Sequence, residues 1–142
     1  MTEQKWISVP MIPVPKARAR VTKTGHAFTP AKTVNAEAEI RQAWLGLYGN
    51  TSGHWPALAG LRMTVVVYVQ RPPSIPKKRL LPTKRPDVDN FLKTCLDSLN
   101  RWAYSDDALI TDVRVKKRYT PSPPTLHGGP GLIIMLEEDT DE

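Results

Sequence analysis

Residues 61–70, Leu-Arg-Met-Thr-Val-Val-Val-Tyr-Val-Gln, constrain the fold more than any other stretch. Val65 to Val69 is β-branched and nearly continuous in apolarity. Such a strand is central in its sheet. Trp6 to Val14 reads as a first strand, and Pro10 and Pro13 place it at an edge. Leu109 to Tyr119 alternates, with Thr111, Val113, Val115, Lys117 and Tyr119 on one face and Asp112, Arg114, Lys116 and Arg118 on the other. Leu132 to Leu136 is a last, buried strand. The 142 residues suit one domain with one core.

Two helices are predicted between these strands. Thr29 as N-cap and Pro30 in the first turn open one that runs to about Tyr48, where Gly49-Asn-Thr-Ser-Gly53 ends it. Ala31, Val34, Ala38, Trp44 and Leu47 fall broadly on one side of it, and Glu37 and Arg41 are at pairing distance. The second helix runs from near Asp87 to about Asn100. Val88, Phe91, Leu92, Cys95, Leu96 and Leu99 form its buried stripe. The fold class is therefore α/β (α+β): a single small domain with a mixed β-sheet and two main helices. The working division is 1–136 for that domain and 137–142 for a frayed acidic tail.

The net charge is +6, but Glu137, Glu138, Asp139, Asp141 and Glu142 crowd the last six positions, so the rest of the chain carries +11. A body of that charge attracts polyanions, nucleic acid first. Three basic elements stand out. Lys16, Arg18, Arg20 and Lys23 lead into a short hairpin around Lys23–His26. The segment 71–85 holds Arg71, Lys77, Lys78, Arg79, Lys84 and Arg85, with no acid. Its four prolines make it a mobile surface loop. Arg114, Lys116 and Arg118 lie on one strand face. No apolar run is long enough to span a bilayer, no signal peptide opens the chain, and Cys95 is the one cysteine, so the expected location is cytoplasmic.

Against this background the acidic motif Arg85-Pro-Asp-Val-Asp-Asn90, with Lys93 and Asp97, is conspicuous. Pro86 disfavours helix at Arg85, so the chain arrives extended and turns into helix at the aspartates. Capping accounts for Asp87 about as well as function does, but explains Asp87, Asp89, Asn90 and Lys93 together less well. Asp97 is a surface charge paired with Lys93 or Arg101. Asp106-Asp107 is a second acidic element where the helix gives way to the next strand, and a strand start folded back toward the helix would bring the two together. Clustered carboxylates repel, and a divalent cation removes the conflict. Mg²⁺ suits oxygen ligands, whereas His26, His54 and His127 are scattered and Cys95 lies on the apolar stripe. A Mg²⁺ site in a basic protein implies phosphodiester hydrolysis, with Lys93 stabilising developing charge.

At these residues the sequence resembles the RusA family of Holliday junction resolvases. The matching text is Arg85-Pro-Asp-Val-Asp-Asn-Phe-Leu-Lys93, Leu96-Asp-Ser-Leu-Asn100, Ala103-Tyr-Ser-Asp-Asp-Ala108 and Val113–Lys116, with Pro15–Arg20 similar to the family's basic leading segment. The resemblance implies a homodimer with two Mg²⁺-dependent sites (Mn²⁺ a possible substitute) that nick opposing strands of a four-way junction in DNA recombination and repair. It assigns metal-binding and catalysis to Asp87, Asp89 and Asp107 and an essential role to Lys93, with Asp106 and Asn90 secondary. It also suggests a phage or prophage source in a bacterial cell.

Two other readings compete. A branched-DNA binder that does not cut gains nothing from four carboxylates near its DNA. A metal-dependent nucleotide phosphohydrolase is disfavoured by the basic surfaces and the lack of a Gly-rich phosphate cradle.

Overall fold

A computed structural model describes residues 3–17, 20–120 and 129–140, with the Arg20 side chain left out. The main sheet contains β1 (Lys5–Pro10), β4 (Leu61–Val69), β5 (Ile110–Tyr119) and β6 (Gly131–Glu138), in the order β1-β6-β4-β5. β2 (Arg20–Val21) and β3 (Ala27–Phe28) make the small hairpin expected around Lys23–His26. The helices are α1 (Ala31–Tyr48) and α2 (Val88–Leu99).

β4 is central, as its composition requires. It runs antiparallel to β6 and parallel to β5. Parallel neighbours need a crossover, and α2 supplies it. Met63, Val65 and Val67 pair with Leu136, Ile134 and Leu132 and face the helices. Ile40 and Trp44 of α1, and Phe91, Cys95 and Leu99 of α2, close that core. On the opposite sheet face, Thr64, Val66 and Tyr68 are in register with Arg114, Lys116 and Arg118. The expected basic strand face is therefore present.

β1 is an edge strand, as its prolines imply, and it stops at Pro10. The Tyr48 hydroxyl blunts this edge: it accepts from the Trp6 N–H at 2.8 Å and donates to the Trp6 carbonyl at 2.7 Å. Gly131 opens β6 against β1, where a Cβ would stand 2.7 Å from the Val9 carbonyl oxygen.

The structure corrects several expectations. α1 starts one residue later, with Pro30 in the capping position and no side-chain cap. Its buried face is Thr33, Ala36, Ile40 and Trp44, whereas Val34 and Leu47 are 50% and 63% exposed. Glu37 and Arg41 do not pair: Glu37 takes Lys16, and Arg41 donates to the Ser98 carbonyl. The tail boundary also moves. Glu137 and Glu138 belong to β6, and Arg62 reaches Glu137 at 3.3 Å and Asp139 at 3.6 Å. A half-buried arginine beside Asp112 draws these acids onto the sheet rather than leaving them to fray. Asp141 and Glu142 lie outside the described residues.

Candidate active site and nucleic-acid interface

α2 delivers the acidic motif to one end of the sheet. The Arg85–Pro86 peptide is cis, and Asp87 occupies the N-cap position of α2 in extended backbone. Its carboxylate makes no capping hydrogen bond. The capping explanation for Asp87 therefore loses its main support. Asp89 lies in the first turn, and both aspartates are exposed. Neither side chain has a hydrogen bond or ion pair among the described residues. Negative charge at a helix N-terminus is favourable in itself, so the position does not require a protein cation. Lys93 is exposed one turn further along, likewise without a partner among the described residues. Asn90 also faces solvent, and its carbonyl accepts the Lys16 N–H at 3.0 Å.

Asp107 sits elsewhere. Because β4 and β5 are parallel, α2 runs against both, and its two ends lie at opposite ends of the sheet. The twelve residues of α2 put about 18 Å of helix axis between them. Asp87 and Asp89 mark the start of α2, and Asp107 follows its end. The strand start does not fold back onto the acidic helix face, so one chain does not gather the three aspartates. Among the described residues no three acidic, histidine or cysteine side chains are close enough to hold a metal together.

The far end of α2 is nevertheless well organised. Asn100, its C-cap, accepts the Asp107 N–H at 3.1 Å. Asp106 accepts the Ala108 N–H at 3.0 Å, and this backbone hydrogen bond holds its carboxyl below the usual carboxylate range. Asp106 thus caps a one-turn 3₁₀ segment, Asp107–Leu109, and its carboxyl also meets that of Asp107. The buried Tyr104 hydroxyl donates to the Leu96 carbonyl at 2.7 Å. Burial first, and then the nearby Asp107 charge, pushes that hydroxyl well above its ordinary value. Asn100 and Tyr104 were given no role from sequence, although both lie within the motif text.

The basic elements divide. Lys16 does not face solvent: its ammonium lies 2.8 Å from Glu37 and 2.9 Å from Asp97. This corrects two expectations, since Lys16 is no free phosphate contact and Asp97 pairs with neither Lys93 nor Arg101. Burial acts to lower the Lys16 value, but the hydrogen bonds to Glu37 and Asp97 outweigh it and the net shift is upward. Arg18 lies outside the described residues, while Lys23 is exposed. Thr94 donates to the Val14 carbonyl at 2.9 Å, so the segment before Lys16 runs along α2 toward the acidic mouth.

The 71–85 segment is irregular, as expected, but it is anchored. Ile75 and Pro82 are buried, and Arg71 stacks over the Tyr119 ring at 4.3 Å while donating to the Pro76 and Arg79 carbonyls. Lys77, Lys78, Arg79, Lys84 and Arg85 remain exposed. The segment ends at the aspartates, so five cations crowd the same end of the sheet. Lys116 and Arg118 are exposed on β5, and Arg114 lies 3.6 Å from Asp112.

The sequence has a match among known proteins. Residues 10–127 fit the family described as Endodeoxyribonuclease RusA. The chain belongs to that family. Its RusA match spans both helices, β4, β5 and both acidic elements. The chain is also similar to the uncharacterized protein YqaN of Bacillus subtilis (strain 168), 37% identical over 71 residues. That similarity covers 43% of this chain and 50% of YqaN, so the chain matches only half the length of that relative.

Proposed function

We propose that the protein is a divalent-metal-dependent endonuclease that resolves branched DNA, four-way junctions foremost, by paired nicks. The observation that carries this reading is the mouth of α2. Asp87 and Asp89 stand there exposed and without protein partners among the described residues, at the end of a strongly basic segment. Membership of the RusA family supports the same activity.

The donor set fits Mg²⁺, which takes one or two carboxylates and completes its shell with water and phosphate oxygens. Mn²⁺ suits the same oxygens. The bound metal supplies an activated water and neutralises charge on the phosphate under attack. Asp87 and Asp89 would hold and orient it. Lys93, on the same helix, lies where an ammonium would offset charge on the scissile phosphate or the departing oxygen. The exposed cations of 71–85 draw the DNA backbone across the mouth, and Lys116 and Arg118 extend the positive surface onto the sheet. We place the protein in the cytoplasm of a bacterial or phage-infected cell, acting in recombination and repair.

A homodimer fits both the geometry and the paired nicks. Asp107 is too far along α2 to join Asp87 and Asp89 of its own chain. A second copy placed with α2 reversed would bring its Asp107 to that pair and complete two equivalent sites, consistent with two-fold symmetry.

The test is a cleavage assay on four-way, three-way and linear DNA with and without Mg²⁺, using Asp89→Asn as control. Metal-dependent nicking of the junction by the wild type alone supports the reading. Intact junctions across divalent metals would sink it, and tight binding without cleavage would point to a branched-DNA binder. Cleavage of nucleotides in place of junctions would point to a phosphohydrolase.

A further inference from the structure

A cavity of about 230 Å³ opens between the 71–85 segment and the ends of β4 and β5. Its wall reaches Pro86, the residue directly before Asp87. Resting on the nuclease reading of the acidic mouth, we infer that this cavity receives one unstacked nucleobase from the strand being cut. It thereby reads the base beside the scissile phosphate.

The wall has the chemistry of a base site. Val69, Ile75, Pro82 and Pro86 supply apolar surface. Tyr119 supplies an aromatic ring, held in place by the Arg71 guanidinium 4.3 Å from its centroid. Bases taken out of the stack are held between apolar and aromatic groups of this kind. Gln70 and Ser74 add donors and acceptors that can meet a base edge. A bare phosphate would suit these walls poorly, because it would surrender its hydration to mostly apolar neighbours.

The cations at the rim are arranged for the phosphates on either side of such a base. Lys84 and Arg85 line the cavity and are exposed. Lys117 is already committed: its ammonium donates to the Lys84 carbonyl at 2.6 Å and to the Pro86 carbonyl at 2.8 Å. It pins the rim to β5, while the two neighbouring cations have no partner among the described residues and can meet DNA. A base seated in the cavity would put its own phosphate next to Asp87 and Asp89. The 71–85 segment is then a recognition element as well as a charged clamp.

The experiment measures affinity in metal-free buffer, so that it does not depend on cutting. Four-way junctions are prepared with an abasic residue at each position flanking the exchange point in turn, and fluorescence anisotropy gives the affinity of each. The wild type is expected to lose roughly tenfold at one position and little at the others. Ser74→Leu, which fills the cavity from an exposed position, is expected to bind more weakly overall and to ignore that abasic site. Tyr119→Leu, which removes the ring, is expected to behave likewise. Thermal melts establish that each variant is folded. Uniform wild-type affinity across the series would overturn the proposal, as would undiminished sensitivity in both variants. Position-dependent binding without metal-dependent cleavage would leave the base site standing while the nuclease reading fell. No junction binding at all would overturn both.

Discussion

At the start of α2, Asp87 and Asp89 stand without a partner among the described residues, beside the exposed Lys84 and Arg85. At its end, Asp107 is framed by a capping turn, by the Asn100 side chain and by a buried tyrosine. Both ends carry paired aspartates in the sequence. One end leaves its carboxylates exposed; at the other, backbone hydrogen bonds fix the turn that carries Asp107. The difference teaches that an accessible side chain and a fixed backbone are separate properties, and that this chain provides them at different ends of one helix.

The sharpest way to break that comparison is to mix two inactive variants. Asp89→Asn and Asp107→Asn are each expected to lose cleavage by on the order of a thousandfold. If a second copy lends Asp107 to the Asp87–Asp89 pair, a mixed dimer holds one doubly damaged site and one intact site. Single-strand nicking should then return in the mixture, read on a denaturing gel. A mixture as inactive as its components would show that the two ends do not cooperate across copies.

A smaller effect concerns what holds α2 in place. Lys16→Met leaves Glu37 and Asp97 facing each other, partly buried, and is expected to cost about 2 kcal/mol in urea unfolding. The sign of the pH effect follows from the raised folded value of Lys16. Its stabilisation is fully present below the ordinary lysine value of 10.5 and is lost as pH rises through the folded value. The gap between wild type and variant should therefore close in melts at strongly alkaline pH.

Smaller again is Asn100→Ala. It removes the acceptor for the Asp107 N–H and should lower stability by about 1 kcal/mol. Cleavage should fall further than that loss of stability explains, because Asp107 is no longer held. The least effect separates the two ends by charge. Lys78→Gln, in the segment leading to the open mouth, should reduce the salt slope of junction binding by about 1. Arg101→Gln, at the closed end, should leave the slope unchanged.

The parts of the fold that announced themselves were those with a single strong period. β4 could only be central, and the stripe through Phe91, Cys95 and Leu99 could only face a core. α1 was harder because its buried face is made partly of Thr33 and Ala36, which carry little apolar signal, while Val34 and Leu47 point to solvent. Asp87, Asp89 and Lys93 were legible because their spacing is local to one helix. The separation of Asp107 was not, because it depends on β4 and β5 being parallel, and strand direction leaves no mark in either strand's sequence. Lys16 misled for a related reason: its partners lie 21 and 81 positions away along the chain.

The hydroxyl of Tyr48 has a consequence for assembly. By occupying both outward backbone groups of Trp6, it removes β1 from the set of edges on which another strand can build there. β5 is the other outer strand, and it ends in a run of lysine and arginine that discourages indiscriminate pairing. A sheet blocked at Trp6 on one side is hindered from growing into a fibre by adding copies of itself. If two such molecules join strand to strand at β5, both outward sides of the pair are blocked in this way, and growth beyond two is hindered.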